Sequence, residues 1–76
     1  MKEILKTIIE SLVENKDAVE INEKAEEKSV IYEVKVAESD MGKVIGRQGR
    51  LAKSIRTVMK AAGGKEHKKV TVEFLD

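Results

Sequence analysis

The segment Gly46-Arg47-Gln48-Gly49 places two glycines three residues apart, between two stretches whose apolar residues recur at helical spacing. A short stretch starting at Met41 precedes the segment, and a longer one follows it from Arg50 to about Ala62. Glycine has no Cβ and adopts backbone conformations that other residues avoid. The spacing therefore predicts a tight turn that joins two helices, and any fold for this chain has to accommodate it.

The rest of the chain carries one further helical pattern and three strand patterns. Apolar residues at helical spacing predict an amphipathic helix from Lys2 to about Glu14. Alternation of apolar and polar residues predicts strands near Val19–Asn22, Val30–Val36 and Val70–Phe74. The element order is helix, strand, strand, helix, helix, strand.

Polar residues and glycines mark where these elements begin and end. Ser39 or Asp40 can cap the short helix before the glycine turn, and Gly63-Gly64 is expected to end the helix after it. The connector Lys24–Ser29 is polar and predicts a hairpin, although it contains no Gly or Pro to fix the turn type.

This order predicts an α+β fold. The hairpin makes the first two strands antiparallel, and a right-handed helical crossover places the last strand parallel to the second. We expect one three-stranded mixed sheet with all helices on one face, formed as a single domain by residues 1–76. Tyr32 and Phe74, the only aromatic residues, are expected in the core or the sheet.

Charge is distributed unevenly, although the net charge is only +1. Residues 1–40 hold 6 Lys/Arg and 11 Asp/Glu, whereas residues 41–76 hold 9 and 3. No acidic residue lies between Met41 and Lys65. The basic half could meet a polyanion, or the two halves could neutralise each other across a shared core.

The glycine turn favours the first reading, because its features suit a phosphate group. Because Gly46 and Gly49 have no side chains, a polyanion can approach the backbone there. The following helix also presents free N–H groups at its start. Arg47 and Gln48 project from the tip, where both can reach phosphate oxygens. Lys43, Arg50, Lys53, Arg56 and Lys60 add positive potential nearby, and of these Arg50 and Lys53 share one helical face and are the stronger candidates for direct contact.

The run Gly42–Arg50, followed by Leu51, Ile55 and Val58, resembles the signature of KH domains, and the element order resembles their type II arrangement. Over nearly its whole length the chain is similar to the KhpA family of small stand-alone bacterial KH proteins. This resemblance implies binding of single-stranded RNA, with the turn clamping the backbone of about four nucleotides while the bases lie on an apolar groove.

Carried over to this chain, the resemblance makes Gly46–Gly49 the clamp. It places the floor of the groove on the helix before the turn and on the central strand, with Val44, Ile45 and the residues around Val34–Ala37 as candidates. Ile45 and Val34 are equally consistent with a place in the core. The expected RNA-binding residues are Lys43, Val44, Ile45, Gly46, Arg47, Gln48, Gly49, Arg50 and Lys53.

The resemblance also implies partners and a cellular role, which the residues alone do not indicate. It suggests an RNA chaperone that self-associates and pairs with a larger KH-containing protein, KhpB, also called Jag or EloR. In some bacteria that pair influences cell elongation and peptidoglycan homeostasis.

Other functions are less well supported. The lone histidine, His67, lies among charged residues, and without cysteine or clustered His/Asp/Glu the sequence indicates no catalytic site, metal or cofactor. No apolar run approaches the roughly 20 residues that cross a bilayer, and the N-terminus shows no signal-peptide core, so we expect a cytoplasmic protein. A protein-interaction scaffold with incidental nucleic-acid contact stays open, as does binding of single-stranded DNA.

Overall fold

The computed structural model of the chain describes residues 1–75. Its three helices and three strands follow the predicted order, which confirms the α+β class. The elements are α1 Lys2–Leu12, β1 Glu20–Ala25, β2 Ser29–Lys35, α2 Met41–Ile45, α3 Arg50–Lys65 and β3 Lys69–Leu75.

The three strands form one mixed sheet in the order β1-β2-β3. β2 lies in the centre, antiparallel to β1 and parallel to β3, as the crossover rule predicted. Val34 of β2 lies opposite Ile21 and beside Phe74, so the side chains of these three residues share one face of the sheet. β3 has an open edge that no strand of the described residues covers.

The helices cover one face of this sheet, and the core lies between the two layers. In β2, Val30, Tyr32 and Val34 are buried, whereas Ile31 and Glu33 on the opposite face are only partly covered. Tyr32 is 1% exposed, in agreement with its expected place in the core. The buried apolar residues form one cluster: Leu5, Ile9, Val13, Val30, Tyr32, Val34, Val36, Val44, Ile55, Met59, Val70 and Val72.

The β1–β2 hairpin closes through three charged residues, Glu26–Lys28. The backbone N–H of Glu26 donates to the carbonyl of Ser29 at 2.8 Å, which closes the turn without glycine. Because Ile21 and Val34 place their apolar side chains on the helix-covered face, burial fixes the register that the turn sequence left open.

The end of α3 differs from the sequence prediction. Gly63 and Gly64 do not stop the helix, which continues to Lys65. Gly63 is buried, and a Cβ there would collide with the side chain of Val70, so this glycine permits close packing of α3 on β3. The helix ends at a reversal in which His67 has φ +58° and the N–H of Lys68 donates to the carbonyl of Gly63 at 2.9 Å.

Candidate nucleic-acid interface

The turn between α2 and α3 has a backbone that ordinary residues adopt with difficulty. Gly46 has φ +75° and ψ 179°, a region open almost only to glycine. Gln48 and Gly49 follow with φ of 55° and 74°, both in the left-handed region. The N–H of Gly49 donates to the carbonyl of Gly46 at 3.3 Å, so the turn closes on itself directly before Arg50 starts α3.

The two glycines are required for different reasons. A Cβ on Gly46 would lie 2.7 Å from the Cβ of Leu51, so this glycine lets the turn pack against the first turn of α3. A Cβ on Gly49 would meet nothing within 4 Å, and only its φ favours glycine. The surface beside Gly49 is therefore open to an approaching molecule.

The tip of the turn is accessible. Arg47 and Gln48 are exposed, and together with Arg50 they line a shallow cavity of about 420 Å³. The guanidinium groups of Arg47 and Arg50 supply the positive charge of this cavity, and Gln48 supplies an amide. These groups donate the charge-assisted and neutral hydrogen bonds that phosphate oxygens accept.

A second concave surface begins one helical turn further along α3. It lies between α3 and the open edge of β3, has a volume of about 410 Å³, and is called here the α3–β3 groove. Its helical side consists of Lys53, Arg56, Thr57 and Lys60, and its strand side of Lys69, Val70, Thr71 and Val72. Because Arg50 and Lys53 are three residues apart on one helical face, positive potential runs from the turn into this groove.

Burial distinguishes among the residues that the sequence analysis placed on the floor of the binding groove. Val44 and Val34 are both 0% exposed, so they belong to the core and support the site from beneath. Ile45 is only partly buried, beside the turn. Sequence patterns did not single out the edge of β3, including Lys69, because the strand pairing that leaves this edge open is not visible in the pattern of one strand.

Lys43 differs from the other basic residues near the turn because it forms ion pairs with carboxylates. Its Nζ is 2.9 Å from a carboxylate oxygen of Glu14 and 3.4 Å from one of Asp40. The hydrogen bond with Glu14, followed by the charge of Glu14 and the contact with Asp40, raises the pKa of Lys43. Its charge is thus compensated by Glu14, which follows α1, and by Asp40, which precedes α2.

Asp40 does not cap α2 through its side chain, contrary to the sequence prediction. Its carboxylate is 1% exposed and accepts hydrogen bonds from the backbone N–H groups of Glu14 at 3.2 Å and Asn15 at 3.0 Å. The amide Nδ2 of Asn15 donates a third bond at 3.1 Å. These bonds, that of the Asn15 backbone first, lower the pKa of Asp40 and fix the start of α2 against the end of α1.

Comparison of the sequence with known proteins identifies the family of the chain. The model of the family described as "KhpA/KhpB, KH domain" matches residues 2–74. The chain belongs to the KhpA/KhpB KH-domain family. This is the family that the glycine spacing and the element order of the sequence resembled.

Relatives within the KhpA/KhpB family cover the whole chain. It is 57% identical over 75 residues to RNA-binding protein KhpA of Clostridium acetobutylicum, covering 99% of this chain and 100% of the relative. It is 57% identical over 75 residues to the protein of that name from Caldanaerobacter subterraneus, with the same coverage. For the Aquifex aeolicus protein the identity is 42% over 76 residues, covering 100% of this chain and 96% of the relative. No solved structure matches the chain.

The interpretation of the chain as a binding protein, not an enzyme, agrees with these KhpA relatives, which are named RNA-binding proteins. Among residues 1–75, no group of three or more His, Asp or Glu side chains is placed to hold a metal ion. Over the same residues, no helix combines the length and the apolar character needed to span a membrane.

Proposed function

We propose that this chain binds single-stranded RNA, with the turn Gly46–Gly49 clamping the sugar-phosphate backbone and adjacent bases lying in the α3–β3 groove. The observation that carries the proposal is the exposed pair Arg47 and Gln48 on a glycine turn that leads directly into a basic groove. The names of the relatives, which are RNA-binding proteins, support the same ligand.

The proposed contacts divide into three kinds. Gly46 and Gly49 keep the backbone accessible, and Arg47, Gln48, Arg50 and Lys53 donate to phosphate oxygens. Ile45 offers a partly exposed apolar surface beside the turn, while the buried Val44 holds the turn in place. Lys43 reaches a phosphate only after its Nζ leaves Glu14 and Asp40, so its contribution is the smallest.

Three or four phosphate contacts set the expected salt dependence. Each contact with a single strand contributes about −0.7 to the slope of log K against log salt concentration, which gives a slope of roughly −2 to −3. Binding by one domain of this size is weak, and a second domain on the same RNA would raise the overall affinity through effective concentration.

The proposal also covers the protein partners of the chain and its cellular role. We infer that residues 1–76 act as one KH domain in the cytoplasm, as an RNA chaperone that forms homodimers or pairs with a larger KH-containing protein of the KhpB/Jag type. A role in cell elongation and peptidoglycan homeostasis would follow from that pairing. Ile4 and Val58, which are 46% and 47% exposed on α1 and α3, provide apolar surface for such association.

The test replaces Arg47 and Gln48 together with Asp and measures binding of a fluorescently labelled single-stranded RNA by anisotropy. We expect affinity to fall by more than about 100-fold, because two contacts are lost, each bond to a charged group contributes roughly 1.5–3 kcal/mol, and about 1.4 kcal/mol is a factor of ten. The control replaces Lys16 and Asn22 with Asp. These two exposed residues match the test pair in charge and polarity and lie in the segments before and within β1.

The outcomes separate the alternatives. Unchanged RNA affinity in the Arg47/Gln48 variant, with circular dichroism showing a folded chain, would show that the clamp is assigned wrongly. A wild-type chain that binds no RNA, even with the larger KH partner present, would support the scaffold function. Equal affinity for DNA of the same sequence would show that the groove does not read the ribose.

A further inference from the structure

Arg56 is held in the α3–β3 groove by two contacts that differ from those of its basic neighbours. Its Nε donates to the backbone carbonyl of Val72 at 3.1 Å, and its guanidinium carbon lies 5.5 Å from the centre of the Phe74 ring. Among residues 1–75 no carboxylate forms an ion pair with it. A long side chain that would otherwise sample many rotamers is thereby oriented along the strand edge.

The position of Val72 shows what the groove presents to a ligand. Within β3, N–H and C=O groups of one residue point to the same side, and successive residues alternate. The N–H of Lys69 donates toward β2, to the carbonyl of Lys28, so Val70 and Val72 direct their backbone groups to the open edge. Because the Nε of Arg56 donates to the carbonyl of Val72, its guanidinium Nη groups are the donors that it presents to a ligand at this edge.

An arginine side chain can donate hydrogen bonds but cannot accept them. Two parallel N–H groups fit a base edge with two adjacent acceptors, as guanine has at O6 and N7. Cytosine offers such a pair at O2 and N3. Adenine places its N6 amino donor beside N7, and uracil places a donor N3–H between its two oxygens. Neither base therefore accepts hydrogen bonds from both guanidinium N–H groups.

We propose that Arg56 is a specificity-determining residue, which selects guanine or cytosine over adenine and uracil at one position of the bound strand. The inference rests on the proposed RNA binding and extends it to base recognition. Lys53, Lys60 and Lys69 line the same groove as flexible point charges, and they contact phosphates without discriminating between bases.

The test is selection from a pool of randomised single-stranded RNA, followed by affinity measurements on oligonucleotides that differ at one position. Wild type should favour guanine or cytosine at that position by about tenfold, the discrimination of one bidentate contact. Arg56→Ala and Arg56→Lys should both lose the preference, and Arg56→Lys should retain the wild-type salt slope because it keeps the charge. Lys60→Ala, one helical turn away, should weaken all sequences equally and keep the preference.

The alternative is that Arg56 contacts a phosphate. Arg56→Ala would then lower the affinity for every oligonucleotide by the same factor, and the proposal would fail. It would fail equally if wild type showed no base preference, or if the preference survived in both Arg56 variants. Since these results require measurable RNA binding by wild type, they are distinct from failure of RNA binding itself. Circular dichroism and thermal melting of each variant establish that the chain is folded.

Discussion

The carboxylate of Asp40 accepts a hydrogen bond from the backbone N–H of Asn15 at 3.0 Å. The donor follows α1 in a stretch where the helix has already ended, and the acceptor directly precedes α2. A buried carboxylate thus satisfies backbone N–H groups 25 and 26 residues away in sequence. This contact fixes the base of the helix whose other end carries the glycine turn.

Replacing Asp40 with Asn should destabilise the fold at neutral pH, because the charge-assisted bonds to Glu14 and Asn15 are lost. The folded-state pKa of Asp40 lies below its ordinary value of 3.8. Its stabilisation is therefore present above that value and disappears as pH falls through the folded pKa. The difference in urea unfolding midpoint between wild type and Asp40→Asn should be constant near neutral pH and shrink below about pH 4.

Glu38→Gln is the matched control for Asp40, since it removes one negative charge from an exposed residue nearby. It should leave the midpoint almost unchanged across the same pH series. An Asp40→Asn variant as stable as wild type at pH 7 would contradict the role assigned to the carboxylate.

The two glycines of the turn should differ in their response to alanine. Gly46→Ala combines a backbone region almost restricted to glycine with a 2.7 Å approach to Leu51, and should lower the free energy of unfolding by about 3 kcal/mol. Gly49→Ala meets open space and should cost about 1 kcal/mol from its positive φ alone. Urea unfolding measures both values, and equal costs would show that the contact with Leu51 does not constrain the turn.

Much of this fold is encoded in local patterns, and those parts were predicted correctly. Period-two alternation in Val30–Val36 identified the central strand, because one face of it is buried along its whole length. The glycine turn was visible because Gly46 and Gly49 are needed for backbone conformation. The prediction for Lys2–Glu14 was close, since α1 ends two residues earlier, at Leu12.

The errors arose where a residue acts through a distant partner. Asp40 stands where a helix cap is expected, yet its bonds go to the end of α1. Val44 lies in the run that resembles the KH signature and is fully buried, which its position in that run alone does not reveal. The groove along β3 depends on which strand is left at the edge of the sheet, and that is a property of the assembled sheet.

Gly63 and Gly64 provide the sharpest contrast between two neighbouring identical residues. Both lie within α3, where alanine is favoured over glycine by about 0.5–1 kcal/mol. Gly64→Ala meets nothing within 4 Å and should raise the free energy of unfolding by about that amount. Gly63→Ala would press its Cβ into Val70 and the carbonyl of Lys68, and should lower it by about 2 kcal/mol.

Thermal or urea unfolding of the two single variants tests this contrast, and each serves as the control for the other. Stabilisation by Gly63→Ala would show that α3 and β3 are not in close contact at this point. Destabilisation by Gly64→Ala would show that the helix ends before this residue, as the sequence pattern suggested.

Tyr32 should titrate differently in the folded and unfolded chain. Burial first, and then the carboxylates of Glu23 and Glu66, raise its pKa from 10.0 to about 12. Because the folded-state pKa is the higher one, this stabilisation is complete below pH 10 and is lost as pH rises toward 12. Tyr32 is the only tyrosine and the chain has no tryptophan, so the ultraviolet absorbance of phenolate reports this residue alone.

A spectrophotometric titration should therefore give an apparent pKa near 12 for the folded chain and near 10 in concentrated urea. Glu23→Gln removes one of the two carboxylates while leaving the ring buried, so its folded-state pKa should fall between these values. Glu26→Gln removes a charge from the exposed hairpin turn and should reproduce the wild-type titration. A folded wild-type chain that titrates near 10 would mean that the Tyr32 hydroxyl reaches water, and that the core at the centre of β2 is open.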